Sequence, residues 1–318
     1  MIESFETHSA SGPKALGTVH RRHFLKAAAA LVAGAGTGTL HSRPLWATSP
    51  SSFDLRSVAG KNHIGPIQNQ LQCNSCTAFA VVATIEGTYN RQNNHDFADP
   101  NALALSEAQL FFCGGPVYKC RTNQWWPEDA LLYCAVIGLA ARGAYAYPAT
   151  AGLDDPSQTW CHLPDPADVS ALRKIRGVTK LTDIAQMKDW ISRLTGGPIV
   201  AVMVQYEDFQ TFGDRWASTN PGAENANVYA PEATVTLPGS TGPTPNRVIG
   251  GHVLSIIGYN STDPDRNKHY WICKNSWGSA WNGNGYVRIR MGRGTPTPAV
   301  APAHNCFIDA IDVRGVTL

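Results

Sequence analysis

The sequence has almost no charge imbalance. Its 26 basic residues stand against 24 acidic ones, so it lacks the electrostatic footprint that a nucleic-acid partner requires. It has no histidine tract that would read as a metal sponge, since its ten histidines are scattered. It shows no internal repeat and no low-complexity tail, which argues against solenoid and fibrous architectures. The Gly/Ala-rich stretch from Ala27 to Leu40 is too short and too weakly apolar to be a stable membrane anchor. What is present describes a globular protein, with 43% hydrophobic and 16% charged residues. The 318 residues suffice for one large domain or two of ordinary size. Eight cysteines point toward an oxidising compartment, with buried thiols or metal ligands as the alternatives.

The N-terminus bears on that choice. Residues 20–26 read His-Arg-Arg-His-Phe-Leu-Lys and precede the modest apolar run. That order of charge, apolar run and small residue is the order of a signal peptide. Arg21-Arg22 followed by Phe24-Leu25-Lys26 resembles the bacterial twin-arginine signal, and Leu45-Trp46-Ala47 offers a cleavage site. The plainer alternative is a chance arginine pair ahead of a buried helix. Residues 1–47 are therefore set aside from the fold. The expected location is exported, in the bacterial periplasm or outside the cell, with no membrane anchor once the signal is removed.

The rest divides into a helix-rich first half and a strand-rich second half. Ser75 is placed to cap a helix from Cys76 toward Asn90, with Phe79, Val82, Ala83 and Ile85 available for burial. Ser106 and Gln109 form a capping-box pattern for a short helix through Phe112. Pro127, Glu128 and Asp129 suit the first turn of a third helix, which Gly143 can end. Asp183 and Gln186 open a fourth, in which Ile184, Met187, Ile191 and Leu194 keep helical spacing, and Gly196-Gly197-Pro198 stops it. Strands are predicted at Ile199–Val204, His252–Tyr259, His269–Lys274 and Gly285–Arg290. The Pro/Gly/Asn/Thr-rich stretch from Gln210 to Gly250 reads as one or two extended surface loops.

Three segments carry chemistry. Residues 67–79 read Ile-Gln-Asn-Gln-Leu-Gln-Cys-Asn-Ser-Cys-Thr-Ala-Phe and place Cys76 in the first turn of a helix. There the unpaired backbone N–H groups and the positive end of the helix dipole favour the reactive thiolate. A neighbouring imidazolium would favour it further. His252 follows Gly250-Gly251 at the start of an apolar strand and is the candidate base. Residues 270–286 contain Asn275, able to accept a hydrogen bond from the imidazole, and Trp277, able to cover that bond from water. As an alternative, Cys73-Asn74-Ser75-Cys76 could be half a zinc site or a redox pair. No second such pair exists, and neither alternative explains the other two segments. Trp281 reads better as a core aromatic.

Together these segments resemble the papain family of cysteine proteases, from Phe53-Asp54-Leu55-Arg56 to Asn305-Cys306. The resemblance implies an α+β, papain-like two-domain fold. It implies a helical left domain over 48–165 and an antiparallel β-barrel-like right domain over 166–318, with the active-site cleft between them. It implies Cys76 as nucleophile, His252 as general base and acid, Asn275 as orienter and Gln70 as oxyanion donor. Leu105-Ser106-Glu107 ahead of Cys113, and Tyr145-Ala146-Tyr147-Pro148, match further family landmarks. The implied reaction is peptide hydrolysis through a thioester, on protein or peptide substrates, with no metal or organic cofactor. A proteinaceous inhibitor is a candidate partner. The resemblance also pairs Cys73 with Cys120 and Cys113 with Cys161. Cys306 matches a half-cystine whose partner is absent, and Cys134 is the choice for a buried thiol.

Several positions depart from the family. Asn74 replaces a glycine, and Thr77 replaces the aromatic that follows the nucleophile. Arg121-Thr122-Asn123, then Gln124-Trp125-Trp126, stand where an Asn-Gly-Gly segment pairs with substrate backbone. His252 lies 176 residues (252 − 76) after Cys76, beyond the family's roughly 130–150. These departures sustain a rival reading, a catalytically silent module of the same fold that binds peptides or a partner protein. Phe53 follows the signal almost at once, leaving no expected room for an inhibitory pro-segment. The 211–250 stretch is then either a surface insertion, the simpler reading, or a lid over the groove. One expectation rests on the N-terminus alone. Replacing Arg21-Arg22 by Lys-Lys should strand the precursor in the cytoplasm, as read by cell fractionation; normal export would point to a general secretory signal.

Overall fold

The structure is a computed structural model. It describes residues 49–114, 120, 125–148, 161, 172–210, 212, 228–236, 241–291 and 307–317. The signal segment, the Arg121–Gln124 departure, Cys306 and parts of the 211–250 stretch lie outside the described residues.

Helix α1 spans Cys76–Gln92, and 14 of its 17 residues are buried, so it is a central helix rather than an amphipathic surface one. The buried set includes polar Thr84, Glu86, Thr88 and Asn90. Gly87 lets the helix approach the chain ahead of the sheet closely, because a Cβ there would lie 2.6 Å from Pro198 Cγ. Helix α2 spans Glu107–Gly114 and is capped by Ser106, whose Oγ accepts from Gln109 N at 2.9 Å. The reciprocal half of the expected capping box is absent. Buried Gln109 instead accepts from Ala140 N at 2.6 Å and ties α2 to the segment after α3.

Helix α3 spans Pro127–Val136, with proline and two acids in its first turn. It ends well before Gly143. Gly138 takes φ +92°, and the N–H groups of Ile137 and Gly138 both return to Tyr133 O, which closes the helix there. Helix α4 spans Ile184–Ser192; Asp183 accepts from Gln186 N at 2.8 Å to begin it. Leu194 falls beyond its end and is 77% exposed, despite its helical spacing in the sequence.

One large sheet dominates. Its strands are β1 (Ser52–Asp54), β2 (Lys174–Lys180), β3 (Ile199–Tyr206), β4 (Val228–Tyr229), β7 (Val248–Asn260), β8 (Tyr270–Lys274), β9 (Tyr286–Arg290) and β10 (Phe307–Thr317). Their order is β2-β10-β3-β7-β8-β9-β4, with β1 added alongside β7. Every pairing in it is antiparallel except the short β4–β9 pair. Strands β3, β7, β8 and β9 fall where alternation and β-branched residues predict them. Strands β2 and β10 go unpredicted, since β2 reads Lys-Ile-Arg-Gly-Val-Thr-Lys and carries little apolar signal.

The described part of 211–250 is not plain surface loop. Tyr229 of β4 is buried and donates to Asp208 at 2.6 Å, while β5 (Thr234–Val235) and β6 (Thr244–Pro245) pair with each other. The main core lies between the sheet and α4, with Trp190, Ile191, Ile199, Ile256, Trp271 and Ile289 among its members. Helix α1 rests on β7, where Thr84 and Ser255 share a buried hydroxyl–hydroxyl bond of 2.9 Å.

Glu86 brings a carboxylate into this core. It accepts from Leu105 N at 2.7 Å and from Arg142 at 2.8 Å, and Arg142 also reaches Glu107. Burial pushes the Glu86 carboxyl up to about 7, with Arg142 opposing the shift and Glu107 adding to it. The folded protein thus keeps a proton that the unfolded chain releases near 4.5. Stability from this group is full below that value and is lost as pH rises through 7. Glu86→Gln, which keeps the shape and hydrogen bonds, should flatten that loss. Its melting temperature should fall less than the wild type's between about pH 5 and pH 8 in thermal denaturation. Equal slopes would remove Glu86 from the account.

Candidate active site

Cys76 is the first residue of α1. Ser75 precedes it at the cap position, yet its side chain does not cap the helix. Ser75 is fully buried and its Oγ bonds Tyr147 OH at 2.9 Å, which corrects the sequence expectation. The first helical N–H groups therefore stay directed at the cysteine. As a residue Cys76 is partly exposed, whereas Cys134 and Cys273 are buried. Burial pushes the Cys76 thiol up, while the backbone N–H of Val253 leads the groups that favour its anion. Val253 is the neighbour of His252 on β7.

His252 sits on β7 opposite Met203 of β3 and is 2% exposed. Its Nε2 lies 2.8 Å from Asn275 Oδ1. The same oxygen accepts from Ser276 N at 2.9 Å, and a backbone N–H can only donate, so the amide oxygen must face this side. Nε2 is then the donor to Asn275, and Nδ1 keeps its lone pair. The Trp277 ring lies 4.7 Å from the imidazole, centroid to centroid, and Phe209 lies behind at 6.0 Å. Trp281 packs on both Trp277 and Phe209, as a core aromatic should. Burial lowers the His252 pKa to about 4, with the Asn275 bond acting in the opposite direction.

Gln70 is 6% exposed and held from three sides. Its N–H donates to Ser276 O at 2.8 Å, its Nε2 to Cys73 O at 2.6 Å, and its Oε1 accepts from Ser276 Oγ at 2.6 Å. One Nε2 hydrogen is left for another acceptor. Leu71 follows with φ +55°, a left-handed conformation costing a branched side chain about 1 kcal/mol or more. The disulfide Cys73–Cys120 and the Asn74 N to Cys120 O bond of 2.7 Å hold the loop in that shape. Cys73 is thereby unavailable as a zinc thiolate or a redox partner of Cys76. Cys113 is joined to Cys161. Cys134 is a buried thiol on α3, whose pKa burial pushes far up.

The structure thus brings Cys76, His252, Asn275, Trp277 and Gln70 together. Sequence reasoning missed Ser276, which locks Gln70, and the role of Tyr147, which donates to Gln70 O at 3.1 Å and meets Ser75. Ser276 adjoins Asn275, so a signal for it existed. Asn275 Nδ2 is buried without a partner among the described residues, and Asn275 helps line a cavity of about 10 Å³ together with Gln68, Glu107, Val253 and Lys274 among others. That space fits a single water.

Comparison with known proteins agrees with this geometry. The family model described as "Papain family cysteine protease" matches residues 49–228 and 240–309. The chain is 26% identical to papain from Carica papaya over 245 residues, covering 77% of this chain and 56% of that protein. It is 27% identical to fruit bromelain from Ananas comosus, covering 76% and 55% respectively. The chain therefore spans little more than half the length of these curated relatives. Among solved structures, digestive procathepsin L2 from Tenebrio molitor larval midgut superposes with a TM-score of 0.54 at 25% identity, covering 83% of this chain and 68% of that one. Xylellain from Xylella fastidiosa, at 17% identity and a TM-score of 0.53, shares the fold over 83% of this chain and 86% of its own. With fold, segment order and matched residues in agreement, the chain belongs to the papain family of cysteine proteases.

Proposed function

We propose that the protein is a cysteine peptidase that hydrolyses peptide bonds of protein or peptide substrates through a thioester on Cys76. One observation carries this reading. A histidine held by Asn275 and shielded by Trp277 stands on β7, the strand on which the helix beginning at Cys76 packs. Nδ1 of His252, neutral above about pH 4, takes the thiol proton. The helix start and Val253 N–H stabilise the sulfur anion as it attacks the carbonyl carbon. The remaining Gln70 Nε2 hydrogen and the Cys76 backbone N–H receive the developing oxyanion, a contribution of about 3 kcal/mol. His252 then protonates the leaving amine, and water attacks the thioester with His252 again as base.

In this reading the helical part, 48–165, contributes Cys76 and Gln70, and the β-rich part, 166–318, contributes His252 and Asn275, with substrate lying between them. Export by the twin-arginine route to the bacterial periplasm or beyond is supported by Arg21-Arg22. The disulfide bonds suit an oxidising compartment. No helix among the described residues is long and apolar enough to cross a membrane.

Cys76→Ala should abolish hydrolysis of a peptide library and labelling by a peptidyl epoxide, with circular dichroism unchanged. His252→Ala should come close to that loss, and Asn275→Ala should lose less. Wild-type activity should fall as pH drops through about 4, where His252 takes its proton. Hydrolysis retained by Cys76→Ala overturns the mechanism. A finer test addresses the Gln70 amide. Ser276→Ala removes its Oε1 partner and should lower kcat about tenfold with little change in KM, corresponding to about 1.4 kcal/mol. Unchanged steady-state kinetics would show that Gln70 is held without Ser276.

A further inference from the structure

The two donors assigned to the oxyanion belong to different ends of one loop. Gln70 supplies its Nε2 hydrogen, and the peptide bond between Ser75 and Cys76 supplies the Cys76 N–H. A single hydroxyl touches both ends. Tyr147 Oη donates to Gln70 O at 3.1 Å and lies 2.9 Å from Ser75 Oγ. A carbonyl oxygen only accepts and a phenol carries one proton, so that proton goes to Gln70 and Ser75 must donate to Tyr147. The result is a directed chain from Ser75 through Tyr147 to Gln70. Both of its ends are buried, so neither can exchange its partner for bulk water without cost. The Tyr147 ring is held separately: Phe79 of α1 meets it edge-on at 4.8 Å, and Phe112 of α2 lies 6.1 Å away. Burial pushes the Tyr147 hydroxyl up to about 12, so its proton stays in place at neutral pH.

Resting on the peptidase reading above, we propose that Tyr147 is a positioning residue for the oxyanion hole, its hydroxyl fixing the separation of Gln70 from the Ser75–Cys76 peptide. The covalent path between the two donors does not fix that separation by itself. It passes through Leu71 at φ +55°, a conformation that persists only where the surroundings impose it. The Cys73–Cys120 disulfide and the Gln70 Nε2 bond to Cys73 O restrain the middle of the loop, whereas Tyr147 joins its ends. Bonds to the oxyanion are made in full only in the transition state. Donors that drift apart therefore lower kcat and leave substrate binding nearly unchanged.

The test compares wild type with Tyr147→Phe, Ser75→Ala and the double variant, with near-ultraviolet circular dichroism confirming the fold of each. Phe keeps the ring between Phe79 and Phe112 and removes only the hydroxyl. Ser75→Ala cuts the chain from its other end, so either gives the reading if the other fails to fold. The measurements are kcat and KM on a peptide substrate, the inhibition constant of a peptidyl aldehyde, and the rate of Cys76 alkylation by iodoacetamide. The thiol adds across the aldehyde C=O, sulfur to carbon and proton to oxygen, and that oxygen enters the oxyanion hole. Alkylation displaces iodide from carbon and does not use the hole. Tyr147→Phe should lower kcat about tenfold with KM little changed, raise the aldehyde constant about tenfold, and keep the alkylation rate within about twofold of wild type. The double variant should fall no further than Tyr147→Phe, since both substitutions cut one chain. A Tyr147 that only stabilised the fold would move alkylation together with the other quantities. Unchanged kcat and aldehyde affinity, a parallel loss in alkylation, or additive losses in the double variant overturn the assignment. Those outcomes leave the peptidase reading standing. A wild type alkylated at Cys76 that neither hydrolyses peptides nor binds the aldehyde strikes that reading, and the oxyanion hole with it.

Discussion

The site depends on one packed contact, helix α1 lying against strand β7 and sealed by the buried Thr84–Ser255 bond. The helix carries the sulfur at its first residue, and the strand carries His252 three residues ahead of Ser255. Neither group needs a flexible loop to find the other. The register of β7 is therefore critical. His252 is opposite Met203, and a slip of one residue would turn the imidazole to the other face of the sheet. Burial on both sides of β7, from Val253 through Tyr259, makes such a slip prohibitive. A second tie runs through Gln70 and Ser276, reinforced by the Asn69–Trp277 bridge and by Gly278 N donating to Gln68 O.

The same packing traps ionisable groups, and they act in opposite senses. His252 stays neutral in the fold to about pH 4, while an unfolded histidine takes a proton near 6.5. Stability linked to it is present above 6.5 and lost as pH falls through 4, the reverse of the Glu86 case. Lys274, next to Asn275 in the chain, donates its ammonium to Gly65 O at 3.0 Å, and burial lowers its pKa against the opposing pull of Glu86. Charge near the site is thus set by desolvation first and by partners second.

Much of the arrangement was legible in the sequence, because the segments around Cys76, His252 and Asn275 each combine an unusual side chain with an element boundary. Helix starts were legible where a side chain caps, as at Ser106 and Asp183. Ser75 defeated that rule because Tyr147, remote in sequence, competes for its hydroxyl. The end of α3 was misplaced because Gly138 and Gly143 look alike in sequence, and only the packing of Arg173 and Lys174 against the backbone at 138 selects the first. Strands β2 and β10 escaped because their pairing is with each other, with β10 also joining β3, and neither shows a strong apolar alternation on its own. The 211–250 stretch read as loop since β4 is two residues long and owes its place to Tyr229 and its bond to Asp208.

The contacts that tie α1 and the Gln70 loop to the sheet close very long loops, 171 residues for Thr84–Ser255 and 206 for Gln70–Ser276, whereas the His252–Asn275 bond spans only 23. Closing loops of that length costs entropy before any contact offsets it, so they form late in folding. A chain emerging from the ribosome holds its thiol long before it holds the histidine, and the histidine before the asparagine that orients it. Synthesis order and topology together make the meeting of thiol, histidine and asparagine the last feature of the fold to form.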